Sequence, residues 1–243
     1  MRILGLDSSG LVASVAVVEA ETAGEAIIAE YTVNYKKTHS QTLLPMLDEV
    51  AKMIELDLNT LDAIAVAGGP GSFTGLRIGS ATAKGLGLAL KKPLIHVPTL
   101  EGLAYNMCGT DKIVCPIMDA RRGQVYTGIY EFDGKDLVIL EDQTAVDIEE
   151  LGQRLHEYDR EIIFLGDGVP VFASVLKGQI MAGRRISFAP AHMNRQRAAS
   201  VAALGSRYYR EGRIEPAAEH RPDYLRVSQA ERERKEKLGH DKI

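Results

Sequence analysis

The residues best suited to chemistry lie in two short turns at predicted strand ends. Asp7, Ser8 and Ser9 follow an apolar run, and a carboxylate beside hydroxyl groups can hold a metal ion and a phosphate there. Gly166 and Gly168 lie in a second turn, where they would border an adenine ring. Together they form a candidate nucleotide site, although ordinary turn chemistry explains the same residue types.

A glycine-rich segment between a predicted strand and a predicted helix is a second candidate. It spans residues 68–79 and reads GGPGSFTGLRIG. Helix N-termini present unpaired amides to anions, so the segment invites a phosphate-loop interpretation. The lysine of the GxxxxGK[ST] motif is missing, because Leu76 and Arg77 occupy the place of the Lys-Ser pair. The sequence therefore predicts a structural tight turn in preference to a phosphate loop.

The histidines give no sign of a metal centre. They are His39, His96, His156, His192, His220 and His240, with no HxxxH or HExxH pair among them. This spacing excludes a helical two-histidine metal site. No Ser-His-Asp or Cys-His arrangement stands out, although the members of such a site are neighbours in space and not in sequence. We predict no catalytic residue and no metal site, and we expect His39 to be a local hydrogen-bonding residue.

Two similar runs of elements must position these residues. The first run predicts strands at 3–7, 13–18 and 29–33, a helix at 40–56, a strand at 61–67, a helix at 74–90 and a strand at 94–97. The second predicts strands at 113–119, 124–131 and 137–140, a helix at 147–158, a strand at 161–165, and helices near 170–176 and at 194–210. A repeat period of about 110 residues indicates duplicated domains and is too long for a solenoid.

The repeated order resembles the duplicated ribonuclease-H-like fold of actin, Hsp70 and the sugar kinases, the ASKHA fold of the α/β class. We predict an N-terminal subdomain at residues 1–100 and a C-terminal subdomain at 101–227. Residues 228–243 are charged and nearly lack apolar side chains. Such a segment cannot bury enough surface to order alone, so it is predicted to be a mobile tail.

Two predicted helices carry features of association surfaces. In the helix at 74–90, small residues recur every four positions, which lets another backbone approach closely. The helix at 40–56 has Leu44, Met46 and Met53 beyond its core stripe, and methionine is common at association surfaces. Packing on the chain's own sheet is the alternative for both. The predicted contact residues are Leu43, Leu47, Val50, Gly75, Leu76, Gly79 and Ala83.

Composition limits the partners and the compartment. The net charge of −4 argues against a surface built entirely for polyphosphate. Residues 183–227 hold nine arginines against four acids, which gives +5, so this segment would face RNA, an acidic partner or solvent. Cys108 and Cys115 form no CxxC pair, and no apolar run is long enough to span a membrane. We expect a cytoplasmic protein with no membrane association.

Five motifs together resemble the TsaB (YeaZ) family. They are DSS at 7–9, THSQTLLP at 38–45, GGPGSFTGLR at 68–77, MDARRGQVY at 118–126 and PDYLR at 222–226. The resemblance implies a subunit for the biosynthesis of tRNA N6-threonylcarbamoyladenosine (t6A). It also implies pairing with a TsaD-like catalytic paralogue through a helical bundle, engagement of a TsaE-like ATPase, homodimers when alone, and contact with tRNA through the complex.

One departure from the catalytic paralogues bears on activity. In TsaD-like proteins an HMEGH motif follows the last strand of the first domain and binds the catalytic metal. The corresponding stretch here is TLEGL at 99–103, which lacks both histidines. The resemblance therefore implies a non-catalytic subunit with no intrinsic cofactor, and ATP or ADP only at a complex interface. An ATP-binding small-molecule kinase of the same fold and a peptidase acting on its paralogue are the alternatives.

Overall fold

Two five-stranded sheets organise the chain. The computed structural model describes residues 1–21, 24–35 and 38–226, and the predicted tail at 228–243 lies outside them. The first sheet contains β1 (Arg2–Asp7), β2 (Ala13–Glu21), β3 (Gly24–Val33), β4 (Ala63–Gly69) and β5 (Leu94–Pro98). The second contains β6 (Ile113–Arg121), β7 (Gln124–Asp133), β8 (Asp136–Asp147), β9 (Ile162–Leu165) and β10 (Ile186–Phe188).

Both sheets have the same topology. The strand orders are β3-β2-β1-β4-β5 and β8-β7-β6-β9-β10. In each sheet the first three strands are antiparallel neighbours, and the last two run parallel to the first strand of the unit. The predicted duplication is confirmed, and the chain has an α/β ASKHA-like fold built from two ribonuclease-H-like units.

Six α-helices cover the sheets. They are α1 (His39–Met53), α2 (Phe73–Leu90), α3 (Thr99–Ala104), α4 (Ile148–Leu155), α5 (Val169–Val175) and α6 (Ala198–Arg210). The predicted helices are confirmed to within a few residues at most ends, whereas α3 and β10 were not predicted because each is short and has no clear periodicity. Among the residues that the structure describes, no helix combines the length and apolar character needed to cross a bilayer.

The central strands of the first sheet are buried on both faces, whereas its edge strand β3 is largely exposed. Every residue of β4 is buried, as expected for a central strand with helices on either side. α1 and α2 cover one face, where Leu43, Leu47 and Ala83 join the strand side chains in one apolar cluster. α6 covers the opposite face, and an added Cβ at Gly5 of β1 would stand only 2.3 Å from the Ala198 carbonyl oxygen. The sheet is thus the middle layer of three.

The chain returns to the first unit after completing the second. α6 falls within the predicted subdomain 101–227, yet it packs on β1, β2, β4 and β5. Residues 211–226, which we call the C-terminal strap, continue along the same unit. Glu215 pairs with Leu94 at the outer edge of β5, and the Asp223 amide donates to the Gly68 carbonyl oxygen at 2.7 Å. The subdomain limits at 100 and 227 stay a prediction.

The small residues of α2 face the chain itself. An added Cβ at Gly75 would stand 2.0 Å from the Ser8 carbonyl oxygen, and one at Gly79 would stand 2.5 Å from Ser8 Oγ. At Gly87 it would stand 2.7 Å from the Cβ of Ala217 in the strap. The small residues of α2 therefore leave room for the turn after β1 and for the strap. Their spacing is explained by packing within the chain and does not require a partner helix.

The predicted contact residues need correction for the same reason. Leu43, Leu47, Val50, Gly75, Leu76, Gly79 and Ala83 are all buried within the chain, so they offer no surface to a partner. Met46 is also buried, whereas Leu44 and Met53 are 50% and 75% exposed. Periodicity located the apolar stripes correctly but could not tell which side of each helix meets the sheet.

Most arginines of the basic segment 183–227 bind groups of the same chain. Arg195 donates to the Gly166 carbonyl, Arg197 pairs with Glu30, Arg207 with Asp136, Arg210 with Glu25, and Arg226 donates to the Ala120 carbonyl. These guanidinium groups tie α6 and the strap to both units. The contacts account for much of the local excess of arginine without a nucleic-acid ligand.

The packing of α2 gives a first prediction. Gly75→Ala should lower the free energy of unfolding by about 1–3 kcal/mol, because the new methyl group meets a backbone carbonyl that cannot swing away. Gly85→Ala in the same helix is the matched control, since nothing lies within 4 Å of its Cβ position. It should raise stability by about 1 kcal/mol through helix propensity. Urea unfolding measures both, and equal effects at the two positions would contradict this packing.

Candidate functional site

A cleft of about 580 Å³ lies between the two units. It opens near the ends of β1 and β6, the two strands that occupy equivalent places in the repeat. Its lining includes Ser9, His39, Ser72, Asp119, Asp167, Tyr224 and Arg226. The structure thus brings the two turns of the candidate nucleotide site to opposite sides of one cleft, although only part of each turn reaches its surface.

Asp7 and Ser8 are buried behind the cleft. The amide and hydroxyl of Ser9 both donate to Asp7 Oδ1, at 2.9 and 2.7 Å. Burial raises the pKa of Asp7 to about 6, against the opposing effect of the Ser9 hydrogen bonds and of His39. Ser8 Oγ donates to the Gly75 carbonyl oxygen at 2.9 Å. Both side chains are therefore engaged by the chain's own backbone and hydroxyl groups.

The turn at 166–168 packs on β6. Gly166 has a φ of +111°, and an added Cβ would stand 2.2 Å from the Ile117 carbonyl oxygen. The Gly168 amide donates to that same oxygen at 3.0 Å. These contacts require glycine for close approach, so neither residue needs a nucleotide to explain it. Asp167 between them faces the cleft, and burial raises its pKa.

The glycine-rich segment contains the N-terminus of α2, which is capped by a side chain of the same segment. Ser72 caps α2 by accepting a hydrogen bond from the Gly75 amide at 3.2 Å. The Ser72 amide donates to the Ser9 carbonyl oxygen at 2.6 Å. An added Cβ at Gly71 would stand 2.3 Å from that oxygen. The geometry therefore supports the tight turn, because the turn after β1 occupies the place where a phosphate would approach.

The charges around the cleft are mixed. Asp119, Asp167 and Asp223 contribute carboxylates, whereas Arg121 and Arg226 contribute guanidinium groups. His39 also lines the cleft, and one of its ring nitrogens lies 2.8 Å from the Gly10 carbonyl oxygen, as expected for a local hydrogen-bonding residue. A polyphosphate cradle needs an excess of donors and positive charge. This surface does not provide one by itself.

The strap forms one wall of the cleft. Tyr224 packs on Phe73 at the start of α2, with ring centroids 4.6 Å apart. The Arg77 guanidinium group also lies over the Phe73 ring, 3.9 Å from its centroid. Arg226 reaches across to the Ala120 carbonyl of the second unit. The strap thus connects the first unit to the second at the cleft.

The positions that correspond to the metal histidines of TsaD-like proteins are core positions here. Thr99 and Leu103 lie on α3, and both are about 99% buried, with relative exposures of 1%. Thr99 Oγ1 accepts a hydrogen bond from the Gly69 amide at 3.0 Å, whereas Leu103 belongs to an apolar cluster. Neither residue fits a divalent metal, since one oxygen is already engaged and the other side chain has no donor atom.

Two histidines far apart in sequence do come together. His96 on β5 and His220 on the strap have ring centroids 5.6 Å apart. Their separation of more than a hundred residues left no spacing motif by which the sequence could reveal them. They meet because the strap brings His220 back to the end of β5.

One side of α2 points to solvent. We define the outer face as Ala81, Gly85 and Leu88, which are all exposed and share one side of the helix because they are spaced by four and three residues. Leu88 is 59% exposed, and no heavy atom lies within 4 Å of the Cβ position of Gly85. This face is apolar or small at every one of these positions, in contrast to the buried face that the periodicity had suggested.

Comparison with known proteins gives consistent matches. A family model described as TsaD, tRNA N6-adenosine threonylcarbamoyltransferase, matches residues 26–234. The tRNA threonylcarbamoyladenosine biosynthesis protein TsaB of Bacillus subtilis is 35% identical over 95% of this chain and 96% of that protein. Its counterpart from Escherichia coli is 32% identical over 69% of this chain and 72% of that protein.

Solved structures agree with the fold. A Pseudomonas aeruginosa protein described as similar to the peptidase YeaZ superposes with a TM-score of 0.78 and 25% identity, over 93% of this chain and 99% of that one. YeaZ from the same organism gives a TM-score of 0.74 at 24% identity, over 92% and 99% of the two chains. On the strength of the near full-length match to the Bacillus protein, the chain belongs to the TsaB (YeaZ) family of tRNA threonylcarbamoyladenosine biosynthesis proteins.

Proposed function

We propose that this chain is a non-catalytic subunit in tRNA N6-threonylcarbamoyladenosine modification that binds and activates a TsaD-like catalytic paralogue. The observation that carries the proposal is the burial of Thr99 and Leu103, the residues in place of the paralogue's metal histidines. A metal needs donor atoms that face an open position. This chain uses the same positions for core packing and one backbone hydrogen bond, so the chemistry falls to the paralogue.

The further partners follow from family membership. The chain engages a TsaE-like ATPase, meets tRNA only through the complex, forms a homodimer when alone and acts in the cytoplasm. Any ATP or ADP lies at a complex interface, where a partner supplies the positive charge that the cleft between the two units lacks. Asp7 is buried and already accepts two hydrogen bonds from Ser9. It is therefore not free to bind a nucleotide within this chain alone, which supports a site shared with a partner.

The outer face of α2 is the surface through which the chain pairs. A glycine inside a helix costs about 1 kcal/mol relative to alanine, and Gly85 has no internal contact that would offset this cost. Small residues at 81 and 85 would let a partner helix approach to about 8 Å between axes. Leu88 would then lose exposed apolar area, and its burial would contribute about 25 cal/mol for each Å².

Reconstitution tests the function directly. Addition of this chain to the TsaD-like paralogue, with tRNA, ATP and an activated threonylcarbamoyl donor, should raise the amount of modified adenosine at least about tenfold, on the scale of allosteric activation. The chain alone should give none. Mass spectrometry of the digested tRNA measures the product. Equal modification with and without the chain would refute an activating role, and ATP turnover by the pure chain would favour the kinase alternative.

The pairing surface is tested by adding bulk where the chain has room. Gly85→Arg should weaken binding to the paralogue at least about tenfold, since an arginine on this face would be desolvated without a partner charge. Gly178→Arg is the control, because Gly178 is also exposed with nothing within 4 Å of its Cβ position. It should bind normally. Calorimetric titration measures both, and normal binding by Gly85→Arg would place the interface elsewhere.

Burial of Asp7 predicts a pH dependence of stability. Its pKa is about 6 in the folded chain against an ordinary value of 3.8, so the folded state holds a proton that the unfolded state releases between those values. Stability contributed by this group is present below about pH 4 and is lost as pH rises through 6. The loss amounts to about 3 kcal/mol at about 1.4 kcal/mol per pKa unit.

Asp7→Asn removes this titration while its side-chain oxygen still accepts from Ser9. The variant should therefore become more stable relative to wild type as the pH rises from about 4 to 7. Asp57→Asn is the control, because hydrogen bonds from Asn59 lower the pKa of this exposed carboxylate and its variant should show no such gain. Urea unfolding across the pH range measures both. A flat difference between Asp7→Asn and wild type would contradict the raised pKa.

A further inference from the structure

A cluster of metal-ligating side chains lies where the C-terminal strap crosses the end of β5. One ligand atom from each of His96, Glu215 and His220 lies within 4.8 Å of the other two. Asp223 adds a second carboxylate, with Oδ2 at 3.2 Å from His96 Nε2. None of its members is one of the α3 residues at 99–103 that correspond to the metal motif of the paralogue.

The hydrogen bonding of the His220 imidazole is incomplete. His220 is fully buried in its side chain, and its Nδ1 lies 2.6 Å from Glu215 Oε1. Its Nε2 is buried and has no hydrogen-bond partner among the described residues, whereas His96 Nε2 has the Asp223 carboxylate beside it at 3.2 Å. A buried nitrogen without a partner is costly. The Nε2 atom of His220 is therefore available to a ligand that the protein does not supply.

The backbone holds the cluster in place before any ligand binds. Gly68 leaves room for the His96 ring, because an added Cβ there would stand 2.1 Å from its Cε1 atom. The Asp223 amide is fixed on the Gly68 carbonyl oxygen at 2.7 Å. Lys84 of α2 donates to the His220 carbonyl oxygen at 3.2 Å. Sheet, helix and strap therefore all position the ligands.

We propose that His96, Glu215 and His220 form a binding site for a divalent transition-metal ion such as Zn²⁺, with Asp223 as a further oxygen donor. Two imidazoles and a carboxylate suit Zn²⁺, whereas Mg²⁺ and Ca²⁺ require mostly oxygen ligands. Ligand atoms around tetrahedral zinc lie about 3.4 Å apart, given bond lengths near 2.1 Å. Side-chain rotations that move the ligand atoms by on the order of 1 Å would bring the present cluster to these distances.

Bound metal would cross-link β5 to the strap only a few residues before Tyr224 and Arg226, which line the cleft. The ion would thereby hold one wall of the cleft in place.

Titration of Zn²⁺ alone into chelator-treated full-length chain tests the site. Wild type should bind one ion, and His96→Gln, His220→Gln and Glu215→Gln should each weaken Zn²⁺ binding at least about tenfold, since even outer partners of metal ligands cost 10-fold to 100-fold. His192→Gln is the matched control, because His192 is exposed and lies outside the cluster. It should bind Zn²⁺ as wild type does.

A second readout guards against variants that fail to fold. Co²⁺ bound to wild type should give the visible absorption of a low-symmetry site with nitrogen ligands, and Zn²⁺ should displace it. His96→Gln provides the safer variant, since the His96 side chain is 24% exposed and is not sealed in the core. Absence of Zn²⁺ binding by wild type, or equal binding by wild type and folded His96→Gln, would overturn the proposal. Neither measurement depends on pairing with the catalytic paralogue.

Discussion

The backbone of α2 touches the turn after β1 with no side chain between them. The Ser8 carbonyl oxygen lies where a Cβ of residue 75 would stand, and Ser8 Oγ donates back to the Gly75 carbonyl. This contact seals Asp7 behind the turn and fills the start of α2. It also fixes the rotation of the helix, so Gly85 necessarily points away from the sheet. The contact between Ser8 and Gly75 therefore affects both the burial of Asp7 beside the cleft and the exposure of Gly85 on the outer face.

The rotation of α2 also explains what the sequence could and could not reveal. Strand alternation, helical spacing and the repeat were enough to predict both sheets, because these features depend on neighbours along the chain. The direction of the small-residue stripe depends on contact between Ser8 and Gly75, which are 67 residues apart. A stripe with this spacing looks the same whether it meets its own sheet or another protein. The same limit hid the meeting of His96 with His220.

Packing explains how α3 keeps its place with threonine and leucine at positions 99 and 103. Thr99 keeps α3 attached to the end of β4 through the Gly69 amide, and Leu103 fills the adjoining core. The architecture is unaffected, because a short buried helix needs packing and hydrogen bonds more than it needs a metal.

The position of α6 constrains how the protein is made. Residues 198–210 cover one face of a sheet whose first strand begins at residue 2. A ribosome therefore synthesises both units before this layer can be added, and the nascent first unit carries an uncovered apolar face in the meantime. An early stop in translation would leave that face permanently bare. The first sheet thus gains its second covering layer late in synthesis, and exposed apolar surface of this kind favours aggregation until then.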